Sequence, residues 1–67
     1  MNASWVIVAI LELSNFNGFT IDAYVFDFKF NTLKDCSSFL KSNIVKLERY
    51  IKQEEKIKAE TFVCLEY

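Results

Sequence analysis

Proton transfer and metal binding near neutral pH most often use histidine, and this chain of 67 residues has none. Its two cysteines, Cys36 and Cys64, are too few for an ordinary structural zinc site within one chain. The carboxylates Asp22, Asp27, Glu48, Glu54, Glu55 and Glu60 are scattered along the sequence and read as solvated surface rather than as a paired acid and base. No Ser or Thr has a candidate base in a recognisable motif. The single glycine, Gly18, cannot build a phosphate-cradling loop. The residue types therefore point to no catalytic group, no cofactor site and no metal site, and a protein that is not an enzyme is expected.

Two other groupings invite a chemical reading. The row Tyr24, Phe26, Phe28 and Phe30 could stack unpaired bases, as aromatic residues on sheets do in several folds. Its spacing fits a buried sheet face better, and Phe28 is expected in the core. Lys46, Arg49, Lys52, Lys56 and Lys58 are the one basic concentration, but Glu48, Glu54 and Glu55 lie among them at helical spacing. Eight basic and nine acidic residues leave a net charge of −1, so no positive field gathers phosphates. Nucleic acid is an unfavoured partner.

These groups need elements to position them. Asn17 and Gly18 lie between apolar stretches, and Asn-Gly readily adopts the positive φ angles of a two-residue hairpin turn. Pairing outward from that turn sets Trp5 against Phe30, Ile7 against Phe28, Ala9 against Phe26 and Leu11 against Tyr24. From Thr32 the apolar period changes to about 3.6, with Leu33, Cys36, Leu40, Ile44, Leu47 and Ile51 on one stripe. That predicts an amphipathic helix from Leu33 to Lys52, ending by Lys56, with Thr32 and Asp35 in a capping pattern at its start. Thr61 to Tyr67 is β-branched and aromatic and reads as a third strand whose facing the pattern leaves open: Phe62 and Cys64 turned toward the helix is the expectation, and the apolar odd positions Ile57, Ala59, Val63, Leu65 and Tyr67 are the rival set.

The helix must carry the chain back along the hairpin, so the third strand runs antiparallel to the first. One α+β domain covering 1–67 is expected, β-β-α-β, with a three-stranded antiparallel sheet in the order 2-1-3 and the helix on one face. The opposite face then carries Val6, Val8, Ile10, Ala23 and Val25, joined by Val63 and Leu65. A face meant only for water alternates to polar residues, so these seven are the candidate interface. Self-association as a homodimer is the expected use, with a host protein as the other possible occupant.

Cys36 falls on the buried helix stripe and Cys64 on the last strand. In a reducing cytoplasm both are small buried hydrophobes, which is the expectation here; a helix-to-sheet disulfide is the alternative. The apolar run Trp5 to Leu11 has no preceding Lys or Arg and is interrupted by Glu12, which suits neither a signal peptide nor a membrane span. A cytoplasmic location is expected, without membrane association.

The apolar hairpin of Trp5 to Leu11, the Lys34-Asp35-Cys36 triplet opening the helix, and Phe62 to Cys64 in the final strand together resemble small accessory proteins of bacteriophages, including marine cyanophages. The resemblance implies a viral protein acting in an infected bacterium and assigns no residue a role. The expected function is thus a non-enzymatic interaction module binding or modulating a host protein. The alternatives are a small nucleic-acid-binding regulator and a disulfide-stapled extracellular or virion protein.

Overall fold

The computed structural model describes residues 4–15, 18–55 and 59–67. It contains β1 (Trp5–Asn15), β2 (Gly18–Phe30), α1 (Leu33–Glu55) and β3 (Ala59–Glu66). The strands form one antiparallel sheet in the order β2-β1-β3, with α1 packed on one face. The expected α+β architecture is therefore the observed one. No described helix is long and apolar enough to cross a membrane.

The hairpin register differs from the expected one. Near the open end Trp5 pairs with Phe30 and Val6 with Lys29, as the turn-based count requires, but beyond an irregularity Val8 pairs with Val25 and Ala9 with Tyr24. One residue of β1, Ile7, thus stands against three of β2, Phe26 to Phe28. The slip amounts to two positions. Because side chains alternate with a period of two, a two-residue slip changes every partner while leaving every residue on its own face. Tyr24, Phe26 and Phe30 accordingly still pack on the helix side.

The turn moves with the register. Asn15 pairs with Gly18, so Gly18 is the first residue of β2 rather than the second residue of a turn. It still has the expected positive φ, 121°, and a Cβ there would meet nothing within 4 Å, so the demand for glycine is conformational rather than steric. Asn17 lies outside the described residues.

Helix α1 starts where the capping pattern places it. The Asp35 backbone N–H donates to Thr32 Oγ1 at 3.1 Å and that of Cys36 to the Thr32 carbonyl at 3.2 Å, using two of the N–H groups that a helix start leaves over. The helix departs from helical geometry at Asn43 (φ −121°, ψ 15°), whose Nδ2 donates to the Phe39 carbonyl at 2.9 Å.

Ile7, Ala9 and Leu11 of β1, Phe26 of β2, and Cys36, Leu47 and Ile51 of α1 form the core, with Trp5, Leu40, Phe62 and Cys64 packed around it. Two expected core members differ. Leu33, in the first turn of α1, is exposed, and Phe28 is 36% exposed because it sits in the irregular stretch of an edge strand and leans on the Phe39 ring, 5.2 Å between centroids. Phe62 and Cys64 face the helix, as their position opposite Ala9 and Ile7 requires.

The structure joins Cys36 and Cys64 in a disulfide with a Cα–Cα distance of 6.2 Å, where two unlinked thiols were the expectation. The bond ties the first turn of α1 to β3, the strand that the helix approaches most closely. It closes a span of 28 residues, for which loop-closure entropy gives roughly 3–4 kcal/mol of stabilisation. A domain this small gains much from such a staple.

Two predictions follow from this packing. Phe26→Ala should lower the unfolding free energy by roughly 3–5 kcal/mol, the range for a fully buried Phe, whereas Phe28→Ala should lose only ~1–2 kcal/mol because much of its ring is already wet. Equal losses in urea titrations would contradict the placement of Phe28. Reduction by a millimolar dithiol should shift the urea midpoint down by the equivalent of ~3–4 kcal/mol; an unmoved midpoint would show that the sulfurs are not bonded.

Candidate functional site

The face of the sheet opposite α1 is built by the even positions of β1 and the odd positions of β2 and β3. Val6 lies between Lys29 and Leu65, Val8 between Val25 and Val63, and Ile10 between Ala23 and Thr61. Glu12 stands beside Ile21 at the far end. The seven expected interface residues therefore do share one face, but they are not equally accessible. Val6 and Val8, each set between a residue of β2 and one of β3, are only 4% and 5% exposed. They form a floor. Ile10 and Val63 are half-buried, Ala23 is exposed, and Val25 and Leu65 stand out at 51% and 49% exposure.

Two further residues belong to this surface. Ile21 is 64% exposed; the expected register carried it past Glu12, and only the observed slip sets it at the end of the apolar band. Tyr67 continues the edge of β3, its backbone N–H donating to the Ser4 carbonyl at 2.7 Å. The Lys29 Nζ lies 4.1 Å from the centroid of the Tyr67 ring. That cation–π contact spans β1 from one edge of the sheet to the other, a geometry worth ~0.5–1 kcal/mol when exposed.

On the helix side, a groove of about 440 Å³ opens between β2 and α1. Tyr24 and Phe28 line it from the strand, and Phe39, Asn43, Lys46 and Tyr50 from the helix. Sequence reading assigned the aromatic row to the core and Lys46 to a solvated helix face. Neither assignment anticipated the groove, because Phe39 and Tyr50 lie one position off the apolar stripe. The irregular turn at Asn43 offered no signal beyond a residue that favours side-chain bonding to the backbone. Arg49 and Lys52 are exposed on the helix, and Lys56 and Lys58 lie outside the described residues.

At one end of the groove the Tyr24 and Tyr50 hydroxyls are 3.0 Å apart and hydrogen-bonded. Tyr24 is pushed up to about 12 from the ordinary 10.0, first by that hydrogen bond, then by partial burial and by repulsion from Tyr50, Glu54 and Asp27. The phenol is thus held neutral rather than activated, the opposite of what a base or nucleophile needs. Among the described residues no three His, Cys, Asp or Glu side chains are grouped to hold a metal ion.

No protein-family model, curated protein or solved structure matches this chain significantly.

The Tyr24 environment makes a testable pH dependence. A phenol whose native pKa is raised favours the neutral form in the folded state, so its stabilising effect is complete below pH 10 and fades as pH climbs through about 12. In an absorbance titration, one of the three tyrosines should ionise only near pH 12. Tyr50→Phe should return Tyr24 toward its ordinary value; an unchanged curve would mean that the hydroxyl pair does not form.

Proposed function

We propose that this chain is a non-enzymatic protein-interaction module that uses the open face of its sheet as the binding surface. The observation that carries the reading is the exposed trio Ile21, Val25 and Leu65 above the buried floor of Val6 and Val8, on the face that α1 does not cover. A monomeric domain has little reason to keep such large apolar side chains together in water, and contiguous patches of this kind mark interaction sites. Lys29 is the one cation among the described side chains of this face, which argues against a nucleic-acid backbone as its occupant. A host protein is the alternative occupant of this face.

The Cys36–Cys64 bond favours a second reading of the setting. Disulfides persist in oxidising environments and are rare in the cytosol, so the staple supports an extracellular or virion location over the cytoplasmic one.

Val8→Lys is a poor test of the surface, because Val8 is buried and a charge there attacks the fold. Val25→Lys is the better probe. Its side chain is half exposed, so thermal stability should change by no more than ~0.5 kcal/mol, while association measured by light scattering or partner titration should weaken at least roughly tenfold. Association unaffected by Val25→Lys would remove the open face from the binding role.

A further inference from the structure

We infer that the occupant of the open face is a second copy of this chain, packed with its strands reversed so that Lys29 of each copy meets Glu12 of the other. The inference rests on the reading of the open face as a binding surface and adds the partner and its orientation. Three observations carry it: size, charge placement and side-chain relief.

The molecule measures 44 × 24 × 15 Å, so its broad side offers on the order of 1,000 Å², and a standard interface removes ~800 Å² from each partner. A side of that size is enough for a second copy to form a standard interface. Stacking two sheets at ~10 Å would also double a core that a chain of this length can barely build.

Charge selects the orientation. Lys29 stands beside Val6 at one end of the face and Glu12 beside Ile21 at the other, six β1 positions apart, or roughly 20 Å at ~3.3 Å per residue. A two-fold axis lying between the sheets can run along the strands or across them. Along the strands, each Lys29 remains at the same end as its counterpart and faces the β3 edge of the other copy. Across the strands, the ends exchange, β2 lies over β2, and each Lys29 arrives beside the other copy's Glu12. Two reciprocal pairs form at once. Asp27 belongs to the irregular stretch at the strand edge, where strict alternation does not hold.

Side-chain relief agrees with that axis. It exchanges the level of Val8 with that of Ile10, so the projecting Val25 of one copy comes to rest above the small Ala23 of the other. A large residue then meets a small one at each of two symmetric positions, which is how facing sheets interdigitate.

The test is charge reversal on the full oxidised chain, with folding checked by circular dichroism and association by sedimentation equilibrium. Lys29→Glu and Glu12→Lys should each weaken the dimer roughly tenfold, since two attractive pairs become repulsive, and added salt should weaken the wild-type dimer. The double variant Lys29→Glu/Glu12→Lys should regain wild-type association. A Tyr67→Leu variant, which removes the ring beneath Lys29 but no charge, should stay dimeric. Wild type that remains monomeric at several hundred micromolar overturns the second-copy assignment. A dimer sensitive to Val25→Lys but unrescued by the double reversal overturns the orientation while leaving the open face as the binding surface; a dimer indifferent to Val25→Lys overturns both.

Discussion

The structure depends on the central position of β1. With β2 and β3 hydrogen-bonded along its two edges, side chains in both of its rows gain shelter from the sides. Ile7, Ala9 and Leu11 become fully buried because α1 also covers them. Val6 and Val8 become nearly buried without any such cover. A strand flanked on both edges thus makes two apolar layers, and the described residues include one helix with which to close them. The unequal treatment of the two faces follows from that shortage.

The disulfide decides how the one helix is spent. By tying the first turn of α1 to β3 it holds the helix toward that side of the sheet. The opposite side, along β2, is left to aromatic side chains. Tyr24, Phe28, Phe39 and Tyr50 are large enough to reach across the gap and touch one another, but not to fill it, and the groove is what remains. Their mutual edge-on and tilted contacts supply packing that aliphatic residues of ordinary reach could not supply at this distance.

Much of this was legible from the residues, for physical reasons that can be named. The helix was marked by its period and by Thr32 and Asp35 at its start, and the topology was constrained by element lengths and by the rules for connecting adjacent strands. The facing of Tyr24 to Phe30 was legible as well, since alternation constrains parity more strongly than pairing. What escaped was whatever depends on exact register or on three-dimensional neighbours. The two extra residues opposite Ile7 have no sequence marker, so Ile21, on the open face by parity in either register, was placed beyond Glu12 rather than beside it. Val6 and Val8 look accessible in the sequence because a one-dimensional pattern records the face of a residue but not how much its neighbours on the flanking strands shelter it. The bond between Cys36 and Cys64 could be drawn from the facing of β3, yet the choice between bond and thiols turned on an assumed compartment rather than on geometry.

The irregular stretch of β2 also sets how the length of this domain can vary over generations of sequence change. Three residues already stand where a regular ladder would place one, so the strand has a site at which backbone can be taken up without disturbing the pairs on either side. Removing one residue there leaves two against one, the ordinary bulge, and adding one enlarges the irregularity. Either way Val25 keeps Val8 as its partner, and because paired residues share a face, Tyr24 stays toward the helix and Val25 toward the open face. Related chains should therefore differ in the length of this strand at this stretch before they differ anywhere else along it.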